Sequence, residues 1–295
     1  MSNVTGWFVP VFRGGEERWI KTGEVNLHLL TGGEGDALFL LHGWPGFWKD
    51  WEKIIPYLVT DFRLVVPDLR GFGLSDKPRS PDAYTLDHYS EDIGSLMDGL
   101  GLKTAFLAGF DVGSTVAAYF ASKNRGRVSG LVLMNPSYPG LGKKRLEPAY
   151  AAENWYQLFH LTELAEALVG YSRETVKIYL SHFYNRWSFR KTAFTEQDVE
   201  EYVDTYFKHG LWGGFNWYRA RFKTRYSDWL KDRLDVKTLI IWSDKDPIFP
   251  LEWSKGVEEF FPNSSLVYIK DCGHFIPREA PEETADLIKR FLSKQ

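Results

Sequence analysis

Four short stretches of this 295-residue chain hold residue types that could do nucleophilic chemistry. Gly109-Phe110-Asp111-Val112-Gly113 sets a carboxylate between small residues, so the chain can turn sharply and expose the central side chain. Trp242-Ser243-Asp244-Lys245-Asp246-Pro247 offers two further acids, and Gly273-His274-Phe275 offers an imidazole. His42-Gly43-Trp44-Pro45 makes a tight turn whose backbone N–H groups can point into a cleft. Each stretch alone also has an ordinary explanation: a strand exit, an Asp helix cap, an acidic turn, a loop histidine. Together they place a nucleophile, an acid and a base in that order along the chain, each just after an apolar run.

Those apolar runs are the elements that must position the chemistry. Val25–Leu30, Ala37–Leu41, Leu64–Val66, Thr104–Ala108, Gly130–Met134, Thr238–Trp242 and Leu266–Ile269 read as buried strands. Helical patterns over Asp50–Leu58, Asp87–Leu100, Gly113–Lys123 and Pro281–Leu292 separate them. Continuous apolar strands alternating with helices predict an α/β fold, a mostly parallel sheet with helices on both faces. Arg18–Leu30 can add antiparallel strands at the edge. Parallel strands present their carboxyl ends along one side of the sheet, which brings the four turns together. Between Tyr138 and Trp229 no strand pattern occurs, only aromatic-rich helical sequence with caps such as Ser172 and Thr195, the latter followed by Asp198. The expected organisation is a core over 1–137 and 230–295, with a helical lid over 138–229 lying above the strand ends.

Composition sets the outer bounds. Hydrophobic residues make up 44% and charged residues 25%, which excludes disorder and low complexity. A net charge of −3 gives no nucleic-acid or anionic-membrane footprint. Cys272 is the only cysteine, so no intrachain disulfide or multi-cysteine zinc site can form, and it reads as a buried small residue. No run approaches a membrane span, and the apolar run Gly6–Phe12, broken by Pro10, is too short for a secretory leader. A cytoplasmic protein is expected. Dinucleotide, P-loop and His-Glu-x-x-His motifs are missing, as is Gly-x-Ser-x-Gly, so neither cofactor nor metal is expected and a serine esterase is disfavoured. Aromatic residues make up 16% of the chain, enough to build a large apolar cavity.

With the four turns goes Asp68-Leu69-Arg70-Gly71-Phe72-Gly73-Leu74-Ser75-Asp76, and on these motifs nearly the whole chain resembles the α/β-hydrolase superfamily. Within it the chain is similar to the epoxide hydrolases, which carry two lid tyrosines that hold the epoxide oxygen. Asn216-Trp217-Tyr218-Arg219 and Trp155-Tyr156-Gln157-Leu158 match their settings. The resemblance implies Asp111 as nucleophile, His274 as base, Asp246 as the acid orienting it, and Tyr156 and Tyr218 as proton donors. It implies an oxyanion hole from the N–H groups of Trp44 and Val112, and a pocket lined by Trp44, Thr115, Ile248 and Phe275. Some relatives take their acid from the position of Asn135, which cannot ionise here. Haloalkane dehalogenases share the Asp elbow but follow it with a halide-binding Trp, where this chain has Val112. Fluoroacetate dehalogenases grip a carboxylate with arginines at the elbow, where Val112-Gly113-Ser114-Thr115 stands.

The residue types suit epoxide opening. An ionised carboxylate attacks carbon without a base, and a phenol, still protonated at neutral pH, can protonate the opening oxygen. The expected partners are a small apolar epoxide and water. A dehalogenase-like hydrolase with the same nucleophile and a non-catalytic small-molecule receptor remain as alternatives.

Overall fold

The computed structural model describes residues 15–139, 141–145, 147–224 and 233–293. The run Gly6–Phe12 and the expected lid end at Trp229 lie outside them. Eight strands form one sheet: β1 (Glu16–Thr22), β2 (Val25–Gly32), β3 (Ala37–Leu41), β4 (Arg63–Pro67), β5 (Ala105–Phe110), β6 (Val128–Met134), β7 (Thr238–Ser243) and β8 (Ser264–Ile269). Their spatial order is β1-β2-β4-β3-β5-β6-β7-β8. The β1/β2 and β2/β4 pairs are antiparallel, and every pair from β4 to β8 is parallel. The fold class and the antiparallel edge are therefore as expected.

Every residue of β3, β5 and β7 is buried, so these central strands need apolar side chains on both faces. Strand β5 runs to Phe110, two residues beyond the expected end, because Gly109 and Phe110 keep their register with Leu133 and Met134. Two other expectations are corrected. Strand β8 is not fully buried; it is the last strand of the sheet, and most of its residues are partly or fully exposed. The helix expected over Asp50–Leu58 splits into a 3₁₀ turn at Trp48–Trp51 and a short α1 (Ile55–Leu58). Pro56 has no N–H and its ring clashes with the carbonyl four residues back, so one continuous helix cannot pass through it.

Between the first strands and β6 lie α2 (Leu86–Gly99) and α3 (Val112–Lys123). Between β6 and β7 come α4 (Leu141–Lys144), α5 (Pro148–His160), α6 (Glu163–Val169), α7 (Arg173–Trp187), α8 (Glu196–His209) and α9 (Trp212–Lys223), with no strand among the described residues. Ser172 and Thr195 cap α7 and α8, each closing a reciprocal box with the residue three positions on. Two helices, α10 (Ile276–Glu279) and α11 (Pro281–Leu292), end the described chain. Among the described residues no helix is long and apolar enough to cross a membrane.

The helices after β6 are fastened to the loop that follows β3 by tyrosine hydroxyls. Tyr184 donates to the Pro45 carbonyl at 2.9 Å, Tyr206 to the Gly46 carbonyl at 2.8 Å, and Tyr202 to Asp50 Oδ1 at 2.6 Å. Several aromatics of this region therefore serve as polar fasteners on an apolar seam.

Candidate active site

Strands β3, β5 and β7 run parallel, so the turns after Leu41, Phe110 and Ser243 open on one side of the sheet. Asp111 stands between β5 and α3 with φ 50°, a left-handed conformation costly for a non-glycine residue. It occupies the cap position of α3, but its side chain makes no capping hydrogen bond. The helix-cap explanation of Asp111 therefore fails. Both flanking glycines are sterically required. A Cβ on Gly113 would lie 2.0 Å from the Leu41 carbonyl oxygen, and one on Gly109 would lie 2.3 Å from the Gly113 carbonyl oxygen. The elbow is pressed against β3 and against itself, which turns the Asp111 carboxylate out over the sheet.

That carboxylate accepts a hydrogen bond from the Trp44 backbone N–H at 3.0 Å, and the Val112 N–H also bonds to it. Both expected oxyanion-hole donors thus meet at one side chain. Burial pushes the Asp111 carboxyl above its ordinary pKa, opposed by His274, the Trp44 N–H, Arg145 and the Val112 N–H. The Trp44 turn is held by His42, whose Nε2 accepts from the Leu69 N–H at 2.9 Å while Nδ1 lies 2.9 Å from the Gly43 carbonyl. Burial lowers the His42 pKa to about 4, so His42 is a neutral structural bridge. Asp68 fixes the same region, accepting from the Trp48 and Leu74 N–H groups, each at 2.8 Å.

His274 is fully buried, and its Nδ1 lies 2.7 Å from Asp246 Oδ2. A carboxylate can only accept, so Nδ1 carries the proton and Nε2 of the neutral ring is left as the basic atom. Nε2 has no hydrogen-bond partner among the described residues. Burial would lower the His274 pKa, but the charge and hydrogen bond of Asp246, with the charge of Asp111 behind them, raise it. Asp246 is in turn fixed by four donors. Its Oδ1 accepts from the Ile248 and Phe249 N–H groups at 2.8 and 3.0 Å, and Oδ2 accepts from Asn135 Nδ2 at 2.7 Å besides His274. The His274 loop is clamped by Glu279, whose carboxylate takes the N–H groups of Gly273 and Phe275 as well as Phe189 and Arg190 after α7. Cys272 is fully buried, and burial raises its thiol pKa, so it is no nucleophile.

Tyr156 and Tyr218, on helices between β6 and β7, come together beside Trp44. Tyr156, on α5, stacks on Trp44 with ring centres 4.8 Å apart and planes 10° off parallel. Its hydroxyl is hydrogen-bonded with Tyr218 of α9 and accepts from Gln157 Nε2 at 3.2 Å. Burial, then the charge of Asp111, raises the Tyr156 phenol above its ordinary pKa, so it stays protonated. A narrow cavity of about 20 Å³ opens on Asp111, lined by Val112, Thr115, Ser137, Arg145, Trp217, Tyr218 and Arg221. Thr115 is among these lining residues. Of the other expected pocket residues, Trp44 stacks on Tyr156, Ile248 supplies an N–H to Asp246, and Phe275 lies against Phe110 and His274. Trp155 is turned away, 40% exposed, because adjacent helix residues face different ways while Tyr156 points in. Asn135, Arg145, Arg221 and Glu279 were not expected here. Of these only Asn135 carried a sequence signal, its place after β6.

An α/β-hydrolase-fold family model matches residues 36–281. A soluble epoxide hydrolase of Corynebacterium sp. (strain C12) is 31% identical over 278 residues, covering 90% of this chain and 93% of that protein. An epoxide hydrolase 1 of Siraitia grosvenorii is 30% identical over 316 residues, covering 95% and 98%. Among solved structures, an epoxide hydrolase from Bacillus megaterium in complex with a diol product aligns with a TM-score of 0.83 at 25% identity, covering 94% of this chain and all of that one. By its elbow, its sheet and these relatives, the chain belongs to the α/β-hydrolase family, in the epoxide hydrolase branch.

Proposed function

We propose that this enzyme converts an epoxide to a vicinal diol through an ester on Asp111, hydrolysed by water that His274 activates. The observation that carries the reading is convergence. The Asp111 carboxylate, held by two backbone N–H groups, shares one small cavity with Tyr218; Tyr218 is joined to Tyr156, and the charge of Asp111 acts on both Tyr156 and the His274–Asp246 pair.

In the first step an Asp111 oxygen attacks an epoxide carbon from behind as the ring C–O bond breaks. The departing oxygen takes its proton from the Tyr156–Tyr218 pair, which faces Asp111 from the lid. Burial holds Tyr156 protonated, so a donor is available at neutral pH. In the second step His274 Nε2 takes a proton from water, and the hydroxide adds to the Asp111 carboxyl carbon. Asp246 holds the proton on Nδ1 and stabilises the imidazolium. The tetrahedral oxyanion forms where the Trp44 and Val112 N–H groups already point; losing one such donor costs about 10²–10³ in rate in well-studied enzymes. Collapse breaks the ester C–O bond and His274 returns its proton to the leaving alcohol; the proton left on the Asp111 carboxyl restores the phenol pair, so nucleophile and acid both return to their starting states.

Residues 138–229 act in this reading as a lid between core parts 1–137 and 230–295, supplying the phenols and shutting out bulk water. Single turnover in heavy-oxygen water tests the scheme: label is expected in Asp111 and not in the first diol released. Label in the first diol would exclude the ester.

A further inference from the structure

Arg145 lies just after α4, is only 7% exposed and forms part of the cavity wall beside Asp111. Its guanidinium sits 4.4 Å above the ring of Phe249 and acts electrostatically on both Asp111 and Tyr156. Yet Nε and Nη2 are both buried and neither has a hydrogen-bond partner among the described residues. These two nitrogens form the edge of a guanidinium that grips a carboxylate with parallel bonds. The same chain shows that use: Arg70 Nε and Nη2 each donate at 2.8 Å to the two oxygens of Asp92, also buried. Arg145 is the same fork, buried in the active cavity without its carboxylate.

Steadying Asp111 does not account for this edge. Asp111 takes its hydrogen bonds from Trp44 and Val112, and a guanidinium need not bury two unsatisfied donors to act through its charge. A cavity holding one carboxylate would repel a second anion unless a cation stood beside it. Arg145 and Arg221 share the wall with Asp111 and supply that cation. We infer that the epoxide this enzyme is built for carries a carboxylate close to the ring, held by the Nε/Nη2 edge of Arg145. This departs from the expected small apolar epoxide: carbon lies against the aromatics and charge against Arg145. The inference rests on the epoxide hydrolase reading above.

The test compares glycidate with glycidamide, which have the same shape and differ in charge, and uses styrene oxide as a neutral reference. Glycidate is expected to exceed glycidamide in kcat/KM by at least tenfold, and Arg145→Met to bring that ratio to one or below. Arg145→Lys, which keeps the charge and loses the fork, should retain only part of the preference. A second measurement needs no variant: phenylacetate should inhibit styrene oxide hydrolysis at least tenfold more tightly than phenylacetamide. Styrene oxide turnover with no preference for the acid in either measurement overturns the inference and leaves the hydrolase reading standing. An undiminished glycidate preference in Arg145→Met also overturns it. Diol from none of the three epoxides overturns both.

Discussion

Asn135 Nδ2 donates at 2.7 Å to the same Asp246 oxygen that faces His274 Nδ1. Asn135 also accepts from the Ser243 N–H at 3.1 Å and donates to Ser243 Oγ at 3.0 Å, so it ties the end of β6 to the end of β7. In the proposed scheme it positions the acid that positions the base. The residue sits at φ 45°, so Asn135→Gly removes the side chain without straining the backbone. Stripped of the donor that shares its oxygen, Asp246 holds the His274 proton more firmly. Ester hydrolysis should fall about tenfold, the worth of one charge-assisted hydrogen bond, and its acid limb should move to higher pH. A lower rate with an unmoved pH profile would mean that Asn135 only packs.

His274→Gln should stop the enzyme after its first step. The nucleophile and the phenols are untouched, so ring opening proceeds while the water-activating Nε2 is gone. Intact-protein mass spectrometry after mixing with styrene oxide should show one substrate mass added, and digestion should place it on Asp111. An unmodified mutant that still consumes no epoxide would count against His274 as the base of the second step.

The hydrogen-bonded phenols predict unequal losses for single and double changes. In Tyr218→Phe, Tyr156 still donates, and ring opening measured in a single turnover should slow by about 10², the lower end of general-acid contributions. Tyr156→Phe should cost a similar amount. Removing both leaves the opening oxygen without a donor, so the double mutant should lose ring opening while Asp111 keeps its Trp44 contact. A double mutant no slower than either single one would show that only one phenol takes part.

How much of this was legible in the sequence follows from which contacts are local. The elbow could be read because its two glycines answer a packing demand within a few residues and against the neighbouring strand. Asp246 and His274 could be read because each lies in the turn shortly after a strand. Arg145 could not, since it lies in a stretch without periodicity and its meaning depends on Asp111, far away in sequence. Glu279 was hidden too: its four backbone donors come from two separate segments of the chain. Pairing Tyr156 with Tyr218 needed family knowledge, because no spacing rule joins α5 to α9. The exposed β8 and the helix broken at Pro56 show the other limit, in that apolar content does not report a strand's place at a sheet edge.

The pH dependence of the second step follows from His274. Only its neutral form can accept a proton from water, and its pKa lies above the ordinary 6.5 because Asp246 and Asp111 outweigh burial. Ester hydrolysis should therefore decline as pH falls through that raised value. Once Asp111 is esterified its charge is gone, so the limb seen in ester hydrolysis should lie below the His274 pKa of the free enzyme. Titration of the free enzyme by NMR and stopped-flow decay of the ester measure the two. Coincident values would remove Asp111 from the electrostatics of His274. On the alkaline side burial keeps the Tyr156 phenol protonated, and ring opening should stay level to about pH 10.

Asp50 gives a prediction about stability. It is fully buried under α8, with Oδ1 accepting from the Tyr202 hydroxyl at 2.6 Å and Oδ2 without a partner among the described residues. Burial raises its pKa from 3.8 to about 7, opposed by the Tyr202 hydrogen bond and the Arg278 charge. Between those values the folded protein holds a proton that the unfolded chain has released. Stability therefore falls as pH rises through this window, and the penalty is complete above about 7. Asp50→Asn keeps an oxygen for Tyr202 and cannot titrate, so it escapes the penalty. Its melting temperature relative to wild type should improve between pH 5 and pH 8 by about 3 °C or more. Arg278 keeps Asp198 as a partner at 2.8 Å, so the change does not strand a buried cation. Parallel melting curves across that range would show that Asp50 does not titrate there. The expected divergence would identify a buried, protonated carboxyl group between the lid and the loop that carries Trp44.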